Sequence, residues 1–509
     1  RQPPTTPPPP QLAADEAQTT EGVIRGTIDG DLKIFRGVRY ADLPTGELRF
    51  RPPAPPESFS GTRDAKNADV VCTQPSGPGT VTGIEDCLVL NIWAHTDDVT
   101  RPVIVFHHGG GANGVSGNSA TLDGATLARE GDVVVVTVNR RLGALGYLAI
   151  DELIADSPLS TAGNFAILDA IAAMEWLQDN IAAFNGDPGK VMLAGQSAGG
   201  AVVCAVLSSP RAMGLFNSAA LQSAGCRSLP VLNASVGVPT DREYAATDHR
   251  ELVTHLGCDA SGDVLACLRN LPASDIVLAQ EELDVDFGTV IDGIVVANQP
   301  KESLAAEVAG NVPIIIGSNA DEATNIFGPN PVADDTEYRA TLDFIFDKPL
   351  SDDLYAMYPT ANFGSASEAF LTLFSDTLFN CIAETLADSA EGGAPVYFYN
   401  FARGFDNGGS AGLGAFHTID VAHLFGSFDV WGYTPDAQAL DLSAAMRNAW
   451  VGLASDPTAP PPYLATGASA WPAYFQTNKQ IVQFGDVIDI ATEHRAGRCP
   501  ALLTLFASQ

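Results

Sequence analysis

Residues 190–203 read KVMLAGQSAGGAVV, with a single serine, Ser197, set among Gly195, Gln196, Ala198, Gly199 and Gly200. The pattern G-x-S-x-G suits a nucleophile held on a sharp strand-to-helix turn, where the backbone is strained and neighbouring side chains would collide. An apolar strand-like run leads in at 190–195, and a helix-like run leads out at 198–210. The helix start then points free amides at negative charge developing beside the serine. Taken alone the pattern equally describes a glycine-rich packing turn; the flanking elements favour the nucleophile. Upstream, His108-Gly109-Gly110-Gly111 follows directly on the apolar run 102–108. Successive glycines let backbone amides approach a substrate closely. Acyl transfer to a serine needs such donors for its tetrahedral oxyanion, each worth roughly 3 kcal/mol of barrier. Alone this loop could be merely flexible; paired with the serine it reads as an oxyanion hole.

A serine hydroxyl needs a histidine to take its proton and a carboxylate to orient that histidine. The turn architecture implies the chain order serine, acid, histidine. After Ser197 the histidines are His249, His255, His417, His423 and His494, and Asp321 and Glu322 follow the apolar run 312–319. Spacing does not choose among them.

Elements that could position these groups recur along the chain. Continuous β-branched runs at 102–108, 132–139, 190–195, 219–223, 312–319 and 395–401 predict strands buried on both faces. Residues 164–184 carry apolar side chains at three- and four-residue steps and predict a helix. Strand–helix alternation of this kind argues an α/β fold, with a mostly parallel sheet flanked by helices on both faces. Residues 1–21 are Pro- and Thr-rich and read as an extended tether; nothing from 22 to 509 resembles a linker, so one large domain is expected.

The formal charge of −34 repels nucleic acid and anionic membranes and makes both poor partners. No apolar run approaches the roughly 18 residues that span a bilayer. The acidity reads either as surface solvation or, less directly, as steering of a cationic substrate. Eight cysteines and an N-terminus without methionine fit an exported chain, secreted or periplasmic. Cys72 and Cys87 flank a short Gly/Pro/Thr loop, and Cys258 and Cys267 flank DASGDVLA. One sequon, Asn233-Ala234-Ser235, is present. No metal or organic cofactor is implied, and nothing in the sequence bears on oligomeric state.

From IFRGVRYADLP through WPAY the chain resembles the type-B carboxylesterase and cholinesterase family of the α/β-hydrolase fold. The likeness rests on GELRFRPPAPP, EDCLVLNIW, HHGGG, VNRRLGALGYLA, the stretch GNFAILDAIAAMEWLQDNIAAFNGDPGKVMLAGQSAGG, GSNADEA and GAFHTIDVAHLFG, in the family's order. The resemblance implies Ser197 as nucleophile, Glu322 as triad acid and His417 as general base. It implies Gly110, Gly111 and Ala198 as oxyanion donors and a small-molecule ester as substrate. It also implies disulfides Cys72–Cys87, Cys258–Cys267 and Cys381–Cys499, leaving Cys204 and Cys226 as candidates for a fourth. Arg49–Glu85 and Arg141–Asp169 match the family's buried ion pairs.

Departures from the family pattern bear on substrate. Ala323 stands where glycine is usual, Asp420 where glutamate is common, Arg39 where proline is usual and Arg140 where tyrosine is usual. Arg140 and Arg227 are candidate pocket residues for a carboxylate-bearing ester, or else surface or ion-paired side chains. Gln196 matches a glutamate in cholinesterases; it keeps the hydrogen-bonding shape without the charge. The loop between Cys72 and Cys87 also lacks a tryptophan for binding quaternary ammonium. The sequence therefore predicts a secreted serine ester hydrolase. A specialised carboxylate-bearing or choline-type ester is the alternative substrate, and a non-catalytic adhesion ectodomain is the alternative from another class.

Overall fold

The computed structural model describes residues 12–224, 226, 240–283, 285 and 287–507. Strands without hydrophobic alternation need cover on both faces, and here they have it. Eleven strands form one sheet. In chain order they are β1 (Thr27–Asp29), β2 (Leu32–Arg39), β3 (Val89–His95), β4 (Arg101–His107), β5 (Val134–Val138) and β6 (Gly186–Gln196). They continue with β7 (Ser218–Gln222), β8 (Ile314–Asn319), β9 (Val396–Phe401), β10 (Ile481–Phe484) and β11 (Ile488–Ala491). Across the sheet the order is β11-β10-β9-β8-β7-β6-β4-β5-β3-β2-β1. The strands from β10 to β5 run parallel, and the flanking strands are antiparallel.

Successive side chains on each strand point to opposite sides of the sheet. Val103, Val105, Leu193 and Ile316 enter one core, while Ile104, Phe106, Met192 and Ile315 enter the other. The first core is covered by helices Phe165–Asn180 and Ala198–Leu207, the second by Ala125–Gly131 and Ala437–Ser455. The helix between β4 and β5 thus lies on one face and the helix between β5 and β6 on the other. Strands β5 and β6 therefore flank β4 on opposite sides, and a crevice opens at the carboxyl ends of β4 and β6. Such a switch point is where open α/β sheets place their ligands.

The predicted strands coincide with β4 to β9. The predicted helix at 164–184 is an α-helix to Asn180 followed by a tighter turn, Ile181–Phe184, which ends at Asn185 with φ 58°. Glu16–Gln18 is a strand paired with Val23–Arg25, so ordered structure reaches into the segment read as a tether. No helix among the described residues is long and apolar enough to cross a membrane.

A third apolar cluster joins helices Asp335–Ile345, Leu350–Met357, Ala366–Ser375 and Cys499–Ala507. Two of these start with side-chain caps: Asp334 accepts from Glu337 N–H and Ser365 from Glu368 N–H. Cys381–Cys499 ties this cluster to the chain end, alongside Cys72–Cys87, Cys204–Cys226 and Cys258–Cys267. No cysteine among the described residues is free. Both expected ion pairs form. Arg49 grips Glu85 at 2.7 and 2.6 Å, and Arg141 grips the fully buried Asp169 at 2.8 and 2.6 Å.

Arg141 lies just beyond β5 and Asp169 on the helix Phe165–Asn180, so this pair clamps the sheet end to its covering helix. Removing one partner strands the other charge in the interior. The Asp169→Ala variant is expected to lose about 3–5 kcal/mol of stability, read from its denaturant midpoint. A shift below about 1 kcal/mol would show that the clamp is dispensable.

Candidate active site

Ser197 sits at the junction of β6 and the helix Ala198–Leu207 with φ 57° and ψ −126°, a left-handed conformation that a serine adopts only under constraint. The constraint is visible in its neighbours. A methyl group on Gly195 would lie 2.4 Å from the Gly199 carbonyl oxygen, and one on Gly199 would lie 2.0 Å from the His107 carbonyl oxygen. Small residues are required because the turn packs backbone on backbone. Ser197 N–H donates to the Gln222 carbonyl at 2.9 Å, tying the turn to β7.

The loop 108–111 leaves β4 beside this turn, since His107 pairs with Gly195 in the sheet. Gly110 and Gly111 have φ 96° and 64°. The Gly110 carbonyl accepts from Asn113 and Gly114 N–H at 3.2 and 3.0 Å, closing a tight turn. Among the described residues no acceptor engages the amides of Gly110, Gly111 or Ala198.

Of the five histidines open at the sequence level, only His417 reaches the cavity beside Ser197. His249 is buried, accepts from Ala149 N–H and stacks on Phe287. His255 contacts Glu282 on the surface. His423 is buried among aromatic rings, and burial drives its pKa down to about 3. His494 lies against Glu384. His417 Nδ1 is 2.5 Å from the Glu322 carboxylate, whose side chain is wholly buried. Glu322 also accepts from Ser223 Oγ at 2.5 Å and from Asn319 N–H at 2.7 Å. The adjacent Asp321 instead accepts from Ala415 N–H at 2.8 Å and holds the loop that carries His417.

Several supporting residues escaped the sequence reading. Asn325 brackets the His417 backbone, accepting from its N–H at 3.2 Å and donating to its carbonyl at 3.1 Å. Its place three residues after Glu322 was a signal in GSNADEATN. Asp420 is fully buried beside this network and accepts from Gln222, Tyr399 and Asn319. Burial pushes its carboxyl up despite those donors, and the nearby Glu322 adds to the push. A π-helical turn, Asp376–Asn380, interrupts the helical run and brings Phe379 to 4.6 Å from the His417 ring. Arg495 and Arg498 of the C-terminal segment grip the buried Asp376 within it.

With Nδ1 donating to Glu322, the other ring nitrogen is an acceptor, and the Gln196 amide meets it at 3.1 Å. The Gln196 carboxamide also lies over Gly109, where a methyl would come within 2.9 Å of its oxygen.

Ser197, Gln196, Ala198, His417 and the loop 108–111 line one cavity of about 740 Å³. Phe106, Phe327, Phe374, Phe379, Leu378 and Trp431 are among its wall residues, and no Asp, Glu, Lys or Arg among the described residues lines it. His108 also lines it, but burial holds its imidazole well below its ordinary pKa, so it is neutral. Arg140, expected as a pocket residue, does not reach the cavity. It is fully buried behind the loop, with Nη2 on the His108 carbonyl at 3.0 Å. Arg39 pairs with Asp86. Arg227 and the sequon at Asn233 lie outside the described residues.

Residues 13–501 match the model of the carboxylesterase family. The para-nitrobenzyl esterase of Bacillus subtilis is 29% identical over 496 residues, covering 93% of this chain and 96% of that protein. The fumonisin B1 esterase of Sphingopyxis macrogoltabida is 32% identical over 498 residues, covering 92% and 86%. Among solved structures, a thermophilic PNB esterase superposes with a TM-score of 0.82 at 28% identity, covering 96% of this chain and 100% of that one. A sheet with its switch point at β4 and β6, a serine turn, a glycine loop and an apolar cavity thus accompany a family match over nearly the whole chain: this protein belongs to the carboxylesterase family and is a carboxylic-ester hydrolase.

Proposed function

We propose that the protein hydrolyses uncharged esters with bulky apolar acyl or aryl groups through an acyl-serine intermediate. The observation that carries the reading is the state of His417: one ring nitrogen is held by a buried carboxylate and the other faces the cavity beside Ser197. Ser197 Oγ attacks the ester carbonyl while its proton passes to His417 Nε2. Glu322 keeps the ring in the tautomer that accepts there and stabilises the imidazolium that forms. The amides of Gly110, Gly111 and Ala198 receive the oxyanion. Collapse of the tetrahedral intermediate breaks the ester C–O bond, and the alcohol leaves with the proton from His417. Water, deprotonated by His417, then attacks the acyl-serine and releases the acid. Gln196 yields its place on Nε2 to the serine hydroxyl and then to water.

Substrate charge follows from the cavity wall. A carboxylate or quaternary ammonium group entering it would lose its hydration with no opposite charge among the described lining residues. Gln196 sits where a carboxylate would attract a cation, and the hairpin between Cys72 and Cys87 carries no aromatic residue. Four disulfides support work in an oxidising compartment outside the cytoplasm.

Ser197→Ala is expected to lower kcat on p-nitrophenyl butyrate by at least about 10⁴-fold. Retained turnover in that variant would sink the acyl-serine reading. Across p-nitrophenyl acetate to decanoate, kcat/KM should rise beyond acetate as the chain fills the apolar wall; a preference for acetate would contradict the proposed class. Gln196→Glu should raise the preference for butyrylthiocholine over its uncharged 3,3-dimethylbutyl thioester analogue by about tenfold, from a charge a few ångströms from the cation. An unchanged ratio would show that residue 196 does not set charge selection.

A further inference from the structure

Six arginines are buried among the described residues: Arg49, Arg101, Arg140, Arg141, Arg403 and Arg447. Five of them grip a carboxylate, namely Glu85, Asp97, Asp169, Asp436 and Glu130 respectively. Arg140 is the exception. It is the most deeply buried of the six at 0% exposure, yet no carboxylate among the described residues pairs with it. Its hydrogen bond goes from Nη2 to the His108 carbonyl at 3.0 Å, the Tyr147 phenol lies beside the guanidinium, and Nε and Nη1 are buried with no acceptor in hydrogen-bonding geometry among the described residues.

A guanidinium stripped of water with no counter-charge is costly, by several kcal/mol of desolvation. Its neighbours do not share the charge. Burial, with Arg140 adding to the effect, holds the His107 imidazole at about 3 and His108 well below its ordinary value, so both stay neutral. What lies next to Arg140 is the active-site backbone. The His108 carbonyl that it binds begins the glycine loop, and the same carbonyl lies 2.6 Å from where a methyl on Gly199 would stand, in the first turn of the serine's helix. The cation therefore sits directly behind the peptide where the loop carrying Gly110 and Gly111 meets the helix carrying Ala198. It is walled off from the cavity and from solvent.

We propose that Arg140 is a positioning residue for ester hydrolysis: its unpaired charge, set behind the oxyanion loop, stabilises the negative charge that develops on the carbonyl oxygen in the transition state. The inference rests on the acyl-serine reading above. In the resting enzyme the charge has no carboxylate partner among the described residues; in the transition state the oxyanion becomes one, screened little by the dry interior between them. Interaction with an uncharged substrate in its ground state is small, so the effect belongs to kcat rather than to KM.

The test separates the charge from the hydrogen bond. Arg140→Gln keeps a donor for the His108 carbonyl and removes the charge; Arg140→Met removes both at similar volume. Both should lose ten- to thirtyfold in kcat on p-nitrophenyl butyrate with KM within twofold of wild type. Both should bind a trifluoromethyl ketone, which adds to Ser197 as an anionic hemiketal, weaker by the same factor. Inhibition by 1-hexanol, a neutral ground-state ligand, should not change. Because an unpaired buried charge is removed, Arg140→Met should melt no lower than wild type. Three results would overturn the proposal: a Gln variant with wild-type kcat, which would leave only the hydrogen bond; activity and hexanol binding lost together; or variants that do not fold. Ser197→Ala in parallel keeps the two readings apart, since an active alanine variant would refute the acyl-serine reading itself.

Discussion

The site depends on one steric fact: the backbones at the ends of β4 and β6 touch. The His107 and His108 carbonyls press on Gly199 at a distance that excludes even a methyl group. That contact constrains the left-handed turn at Ser197 and sets the glycine loop beside it, so that two distant stretches of chain line one cavity. Hydrogen bonds alone would not hold this geometry, because a serine at φ 57° relaxes unless its surroundings forbid it. The sheet supplies the force. Its two cores bury residues 103–106 of β4 and 191–194 of β6, so neither strand can retreat at the end that carries the site.

The second feature is a division of charge. The chain carries a formal −34, but its cavity is lined by aromatic and aliphatic side chains and by neutral polar groups. Acidity is therefore a property of the surface, where salt screens it within about 10 Å. Inside, the charges beside the cavity are few among the described residues: Glu322 against His417, and Arg140 behind the glycine loop.

The cavity wall has its own support. Phe374, Leu378 and Phe379 come from the helix and π-turn gripped from behind by Arg495, Arg498 and the Cys381–Cys499 bridge. The last residues of the chain thus brace the ring packed on His417. The opposite brace, Asn325, clasps the His417 backbone from the segment that carries Glu322. His417 and Glu322 are therefore registered by main-chain bonds as well as by their own contact.

Much of this was legible in the residues. The parallel sheet followed from apolar runs without alternation, and the serine turn from glycines spaced where backbones must meet, because both are local demands of packing. The choice of Glu322 over Asp321 and of His417 over four other histidines came from resemblance alone; composition and spacing left them open. Tertiary structure separates them physically: Asp321 turns to the Ala415 amide, and the other histidines are buried or face solvent. For Arg140 the residues left a pocket side chain and a surface or ion-paired one both open, because sequence shows its charge but not the side of the loop on which it lies. The π-turn and the uncharged lining of the cavity among the described residues likewise had no local signature. Sequence determined which backbone contacts are sterically permitted; only the fold, by bringing segments hundreds of residues apart into contact, decided which charges meet, which are left alone, and what the cavity excludes.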